Sequence, residues 1–132
     1  MDFKYPKTEK LKSKKTIDSL FSEGKSVSKF PLRLVFVESS YGLDIAKNQN
    51  LKMGVSVSKK NFKRAVDRNY FKRLLREAYR LNKHILTENI KKPFAMMFFY
   101  QTKERLSFQE INSKTIQLFE KFLLQLEKDT VI

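Results

Sequence analysis

Residues 58–78 read SKKNFKRAVDRNYFKRLLREA, and the basic and apolar side chains of this stretch separate onto two sides of a helix. At about 100° per residue, the polar side chains follow one another along an arc of roughly 140°, with an apolar arc of similar width opposite. Like charges four residues apart destabilise a helix, so an anionic partner is expected to neutralise the cations of this arc. The polar arc consists of Arg68, Lys72, Arg76, Asn69, Arg80 and Arg73, and the apolar arc of Tyr70, Leu81, Leu74, Ile85, Ala78, Phe71 and Leu75.

The charge of the whole chain favours the same kind of partner. It contains 28 Lys and Arg against 14 Asp and Glu, a net charge of +14. Residues 59–84 hold ten cations and two anions, which is +8 of that total. Residues 1–29 add +4, and their lysines fit an anion-binding surface and an ordinary solvated surface equally well. A clustered basic face is typical of a nucleic-acid binder, whereas a merely soluble surface mixes both signs.

Length and composition restrict the class of protein. A chain of 132 residues, 41% of them hydrophobic, fits a single domain over 1–132, with residues 1–12 as a candidate flexible basic arm. The absence of Cys excludes a disulfide framework and a thiolate metal site. We find no apolar run long enough for a membrane span and no signal-peptide core. We therefore expect a cytoplasmic protein without a membrane partner.

Hydrophobic periodicity predicts three helices and three strands. In chain order they are a helix over 13–22, strands over 32–38 and 52–58, a helix from about Asn61 to Lys83, a strand over 94–100 and a last helix from Ser107. The order α-β-β-α-β-α predicts an α+β fold, a single-domain sandwich with helices against a small mixed sheet. The loop 39–50 is predicted to join an antiparallel pair. The strand 94–100 is apolar on both faces, which indicates an internal position, and parallel pairing with 52–58 would need the basic helix as its crossover.

Local signals predict where the helices begin and end. Ser13 and Asn61 are predicted N-caps, and Gly24 suits a left-handed stop after the first helix. Ser107 with Glu110 matches a capping box. The predicted buried stripe of the last helix is Phe108, Ile111, Thr115, Leu118, Phe119, Phe122 and Leu126.

The sequence shows no ordinary enzyme site. His84 is the only histidine, no nucleophile motif accompanies it, and we interpret it as a helix-end residue favoured by the helix dipole. The carboxylates do not cluster, the three glycines stand apart, and no metal-ligand spacing is present. We expect this chain to make or break no bonds itself.

Two other interpretations of the basic helix are less well supported. A helix lying on a membrane would need its apolar arc for lipid, yet the flanking strands require that arc for the core. A helix-turn-helix DNA reader would need a second short helix before residue 61, where the sequence is strand-like. Residue types alone do not separate RNA from DNA.

A longer pattern resembles a known family. Ala65-x-x-Arg68-Asn69-x-x-Lys72-Arg73-x-x-Arg76, preceded by the run 54–60, GVSVSKK, is similar to the bacterial ribonuclease P protein subunit. Leu11-Lys12 followed by Ile17, Leu20, Phe21 and Gly24 resembles the first helix of that family. The similarity covers nearly the whole chain. It implies a ribosomal-protein-like fold with a left-handed β-α-β crossover, whereas general statistics favour the right-handed form.

The resemblance also implies a function. In that family the RNA subunit is the catalyst and uses magnesium ions to remove the 5′ leader of precursor tRNA. The implied partners are ribonuclease P RNA and precursor tRNA, with no obligate protein partner and no dedicated protein ligands for magnesium. The residues expected to bind the catalytic RNA are Lys59, Lys60, Arg64, Arg68, Asn69, Lys72, Arg73, Arg76 and Arg80. A non-catalytic ribosomal or ribosome-assembly RNA-binding protein is the alternative, and a DNA regulator is a third hypothesis.

The resemblance places a leader-binding cleft between the first helix and the sheet, at Ile17, Phe21, Arg33, Val35 and Val37. Ile17 and Val35 stand where the family often has aromatic residues, and Tyr70 stands where it usually has a basic one. Weaker leader stacking is therefore expected, with Arg33 as a compensating cation and Tyr70 stacking in place of a phosphate contact. The alternative is a buried Phe21 with Arg33 paired to Glu38 or Glu23.

Overall fold

The computed structural model describes residues 14–38 and 51–130, and the element order there is α-β-β-β-α-β-α. Four strands form one sheet in the spatial order β1-β2-β4-β3. The elements are α1 (Lys14–Glu23), β1 (Lys25–Lys29), β2 (Leu32–Glu38), β3 (Leu51–Val57), α2 (Ala65–Thr87), β4 (Phe94–Tyr100) and α3 (Phe108–Thr130). The predicted mixed α+β class is confirmed. None of the described helices is long and apolar enough to cross a membrane.

β4 is an internal strand, as its two apolar faces predicted. It pairs in parallel with β3 and antiparallel with β2, so α2 is the predicted crossover between parallel strands. The hand of this crossover stays a prediction of the resemblance. The prediction of an antiparallel pair joined by the loop 39–50 was wrong, because β4 lies between β2 and β3. A strand that is buried on both faces takes the interior position in preference to a local hairpin. The loop itself lies outside the described residues.

β1 is a strand that the sequence did not predict. Its residues, KSVSK, contain one apolar side chain, Val27, which is buried and pairs in register with Leu34 of β2. Lysine and serine have low strand propensity, so the strand depends on pairing with β2 rather than on its own sequence.

The sheet is covered on both faces. One face packs against α2 and α3 in the larger core, where Met53, Met96 and Phe98 belong to one buried cluster with side chains of both helices. The other face carries a smaller core beneath α1, which consists of Leu20, Val35, Ala95 and Met97. As predicted, Leu34 and Phe36 face the larger core and Val35 faces the opposite side. The molecule is therefore layered as helix, sheet and helix pair.

Helix ends follow the predictions only in part. The Ser107–Glu110 capping box is confirmed: Glu110 N donates to Ser107 Oγ at 3.2 Å, and Ser107 N donates to Glu110 Oε1 at 3.4 Å. The predicted stripe of α3 is buried at its centre and half-buried at Phe108 and Leu126. Gly24 follows α1, but a left-handed backbone is not the reason. A Cβ there would lie 2.2 Å from Leu20 O, so lack of space requires the glycine. The Ser13 cap lies outside the described residues.

The predicted N-cap at Asn61 was wrong, because α2 begins at Ala65 and ends at Thr87. The backbone amides of Asn61 and Phe62 donate to Ser58 O at 3.2 and 3.0 Å, which forms a separate turn. Phe62 is buried and stacks on Phe71 with ring centroids 4.8 Å apart. Burial of Phe62 thus stabilises this turn, and the helix begins only after it, at Ala65.

The buried stripe of α2 is rotated relative to the predicted apolar arc. Phe71, Leu75 and Ala78 are buried as expected, and Tyr70 is 39% exposed. The stripe also contains Tyr79, Asn82, Lys83 and Leu86, which the prediction left out. Asn82 is buried because its Nδ2 donates to Asn112 Oδ1 on α3 at 2.6 Å and to Ala78 O at 2.8 Å. A polar bridge between α2 and α3 therefore explains part of this shift.

Candidate nucleic-acid interface

All nine predicted RNA-binding residues lie between Lys59, just after β3, and Arg80 in the fifth turn of α2. Lys59, Lys60 and Arg64 are exposed in the segment that leads into the helix. Asn69, Arg73 and Arg76 are exposed on α2, and Arg68, Lys72 and Arg80 are half-buried beside them. We call this set the basic surface. Apart from Asn69 and Arg80, its seven side chains carry a positive charge, and within residues 14–38 and 51–130 no carboxylate forms an ion pair with any of these seven.

Arg68 has a structural contact in addition to its predicted role. Its Nη1 donates to Phe62 O at 2.9 Å and to Lys63 O at 2.7 Å. These bonds tie the turn that carries Lys59 and Lys60 to the first turn of α2. A guanidinium has five N–H donors, so Arg68 keeps donors for a phosphate while it fixes the geometry of the surface.

Arg80 differs from the other cations of the basic surface, because it is paired. Its Nε donates to Glu77 Oε2 at 3.2 Å, and its Nη2 contacts Glu77 Oε1. The hydrogen bond from Arg80 lowers the pKa of the Glu77 carboxyl below its usual value, against the opposing effect of burial. The Glu77 carboxylate places one negative charge at the end of the basic surface. Arg80 therefore attracts an anionic partner less strongly than the other cations do.

A second candidate site lies between α1 and the sheet. α1 packs over β2 and β4, and β3 continues the same sheet face beyond it with Lys52, Gly54 and Ser56, which alternate with the core residues Met53 and Val57. All three are half-buried. We call the strip between α1 and β3 the cleft.

Phe21 projects from α1 at this cleft and is 66% exposed. Its ring meets that of Phe99 on β4 at an angle of 65°, with centroids 6.4 Å apart. Phe99 pairs in register with Arg33 of β2 on one side and Ser56 of β3 on the other. Two aromatic rings, a cation and a hydroxyl therefore converge on one end of the sheet.

The other predicted cleft residues are more buried. Ile17 and Val37 are half-buried against the smaller core, and Val35 is 6% exposed within it. The alternative of a buried Phe21 with Arg33 paired to an acid was wrong. Glu38 pairs instead with Lys92 at 3.9 Å, and within residues 14–38 and 51–130 no carboxylate forms an ion pair with Arg33.

Sequence reasoning missed Phe99 and Arg105. Phe99 was recognised as part of a buried strand, but only the register shows that it lies beside Arg33. Arg105 lies in the loop between β4 and α3, where its Nη1 pairs with Asp67 Oδ1 at 3.2 Å. Its Cζ lies 5.7 Å from the Tyr70 ring centroid, close to α2. A lone arginine in a loop gives no sequence signal of that proximity.

Within residues 14–38 and 51–130, no three His, Cys, Asp or Glu side chains come close enough together to hold a metal ion.

Comparisons with known proteins agree with this geometry. A "Ribonuclease P protein component" of Porphyromonas gingivalis is 45% identical over 87 residues, 65% of this chain. The match spans only 60% of that relative's length. A protein of the same name from Clostridium botulinum is 34% identical over 116 residues, 87% of this chain and 95% of its own. The solved RNase P protein from Thermotoga maritima is 26% identical, with a TM-score of 0.66 over 85% of this chain and 96% of that one.

The family relationship extends over most of the sequence. The sequence model described as "Ribonuclease P" matches residues 5–123, which include α1, the sheet, the basic surface and most of α3. This chain therefore belongs to the ribonuclease P protein family.

Proposed function

We propose that this chain is the protein subunit of ribonuclease P, which binds the catalytic RNA and the 5′ leader of precursor tRNA and promotes endonucleolytic removal of the leader. The observation that carries the proposal is the continuous basic surface of a chain whose residues 5–123 match this family. The chemistry belongs to the RNA subunit, and this chain acts as an accessory protein in the cytoplasm. The curated relative from Clostridium botulinum, which aligns over nearly its full length, supports the same assignment.

The basic surface is the proposed contact with the catalytic RNA. Lys59, Lys60 and Arg64 extend from one end of α2, and Arg73 and Arg76 follow along the helix. Arginine donates paired hydrogen bonds to phosphate oxygens, and such charge-assisted bonds are stronger than neutral ones. Contacts of this kind fix the position of the protein on the RNA without reading its sequence.

The cleft is the proposed contact with the leader. Phe21 and Phe99 offer aromatic faces, and Arg33 offers a cation to the backbone beside them. This combination binds single-stranded nucleic acid with little base selection, because every base has a face that stacks. A leader of variable sequence requires that tolerance. Phe99 thus supplies an aromatic ring in a cleft where Ile17 and Val35 replace the aromatic residues that the family often has.

Magnesium ions are proposed to be held by the RNA subunit, whose phosphate oxygens are hard ligands of the kind this cation prefers. When bound to the RNA, such ions supply the hydrolytic chemistry. The residues of this chain position the two RNA partners and neutralise phosphates between them.

The deciding experiment mixes the protein with ribonuclease P RNA and precursor tRNA at low magnesium and measures 5′ cleavage. We expect the protein to increase the cleavage rate. The double variant Arg73→Ala/Arg76→Ala should lose most of that increase, and Lys114→Ala/Lys128→Ala on α3, which removes the same charge, should keep it. No increase with the unaltered protein would reject the proposal. Selective binding to ribosomal RNA fragments would then favour a ribosome-assembly role.

A further inference from the structure

We infer that Tyr70, Arg73 and Arg105 form a base-stacking contact for RNA on α2, separate from the cleft. In this contact an unpaired base stacks on the Tyr70 ring, and the two guanidinium groups neutralise the adjacent phosphates. The inference rests on the proposed function, and it adds a loop residue, Arg105, to a surface otherwise made by one helix and the turn before it.

The first observation is the position of the Tyr70 ring. Its side chain was predicted to join the apolar arc, yet it is 39% exposed, while the neighbouring Phe71 is buried. The two rings meet edge to face with centroids 5.0 Å apart. Within the described residues, the Tyr70 hydroxyl makes no hydrogen bond. An exposed ring that is braced at its edge by a core residue costs little conformational entropy when a base stacks on it.

The second observation is the pair of cations that lie over this ring in cation–π contacts. The Cζ atom of Arg73 lies 5.9 Å from the Tyr70 ring centroid, and that of Arg105 lies 5.7 Å from it. One cation comes from α2 and the other from the loop after β4, so they reach the ring from different elements. Single-strand binding sites combine aromatic rings that stack on bases with cations that contact the phosphates and with cation–π contacts from Arg, and Tyr70, Arg73 and Arg105 supply all three.

The third observation is that Arg105 is held in place. Its Nη1 pairs with Asp67 Oδ1 at 3.2 Å, and its Cζ lies 5.2 Å from the Phe71 ring centroid. The loop that carries it is fixed by Tyr100, whose hydroxyl accepts a hydrogen bond from Leu106 N at 3.2 Å and donates to Glu104 O. The side chain of Arg105 is 56% exposed, so its remaining donors face solvent. A purely structural ion pair would need no exposed aromatic ring beside it.

If this contact forms, loss of the Tyr70 ring and loss of a cation should affect RNA binding differently: the first should change affinity alone, and the second should also change its salt dependence. Stacking releases no counterions, so its loss weakens binding without changing the salt slope, whereas loss of a phosphate contact flattens the slope. Tyr70→Leu keeps the apolar bulk and removes the aromatic face. We expect it to weaken binding to ribonuclease P RNA about tenfold at every salt concentration, with an unchanged log–log slope. Tyr70→Phe, which keeps the aromatic ring, should retain most of the wild-type affinity.

Arg105→Gln should flatten the slope by roughly 0.7–0.9. Phe30→Leu, which alters another exposed Phe in the turn between β1 and β2, is the matched control and should leave affinity unchanged. Ultraviolet crosslinking of the wild-type complex should join Tyr70 to an unpaired nucleotide. Wild-type affinity in Tyr70→Leu, or a crosslink that is absent at Tyr70, would overturn the contact and leave the proposed function standing. Failure of the wild-type protein to bind this RNA would reject both.

Discussion

The ring of Phe21 on α1 meets the ring of Phe99 on β4 edge to face, 6.4 Å between centroids, beside a sheet strip that α1 leaves uncovered. Phe21 lies on the solvent side of this pair and is largely exposed. The pair therefore stabilises the fold less than a core contact does, and most of the Phe21 ring stays accessible for stacking.

Phe21→Ala should weaken binding of precursor tRNA that carries a 5′ leader about tenfold or more, because base–aromatic stacking contributes roughly 1–3 kcal/mol. Affinity for mature tRNA and for the catalytic RNA should change little. The measurement compares dissociation constants for leader-bearing and leaderless tRNA in the assembled complex. Phe30→Ala removes another exposed Phe and is the control. Equal losses for both ligands would remove the cleft from the proposal.

Arg73→Ala and Arg68→Ala should differ although both lie on the basic surface. Each should flatten the salt dependence of RNA binding by roughly 0.7–0.9 in log–log slope. Arg68→Ala should also lower the free energy of unfolding by about 1 kcal/mol, since Phe62 O and Lys63 O lose their donor. Arg73→Ala should leave stability unchanged. Binding titrations over a salt series and urea unfolding separate the two effects, and an unchanged slope for Arg73→Ala would mean that this side chain contacts only water.

Leu75→Ala should destabilise the protein by about 2–5 kcal/mol, because Leu75 is fully buried where α2 packs on the sheet. Leu124→Ala on α3, where the side chain is 58% exposed, is the matched control and should change stability by less than about 0.5 kcal/mol. Chemical unfolding followed by far-ultraviolet circular dichroism measures both. Similar losses for the two variants would contradict the described core.

Tyr100 should make stability sensitive to alkaline pH. Burial raises the pKa of its hydroxyl above the usual value of 10.0, so the folded state favours the neutral form. This contribution is fully present below pH 10 and is lost as the pH rises through the folded-state pKa. Tyr100→Phe should be less stable at pH 7, because the hydroxyl bonds to Leu106 N and Glu104 O are lost. The difference from wild type should shrink above pH 10, and a constant difference from pH 7 to 11 would contradict the assignment.

Much of the fold was predictable where one physical signal was strong. The strand 94–100 is apolar on both faces, and it lies inside the sheet. The Ser107–Glu110 capping box and the stripe of α3 followed from spacing that only a helix satisfies. Parallel pairing of β3 with β4 followed from the long helix between them. In each case the local pattern and the tertiary packing favour the same structure.

Other features depended on distant partners that a single sequence does not show. β1 exists because Val27 and its neighbours pair with β2. α2 begins at Ala65 and not just after Asn61, because burial of Phe62 competes with capping by Asn61. In the candidate sites, Phe99 and Arg105 were missed because their roles depend on register and on a loop conformation. The basic surface was visible in advance because its charges are consecutive along one helix.

The position of β4 between β2 and β3 has a consequence for folding during synthesis. A ribosome releases β2 and β3 before β4, and in the described sheet these two earlier strands share no hydrogen bonds with each other. Until residues 94–100 emerge, β3 has no strand to pair with and β1–β2 is an isolated hairpin, which is marginally stable in water. The underside of α2 then lacks the surface on which it packs. Packing of the helix that carries the basic surface therefore waits, during synthesis, for a strand that follows it in the chain.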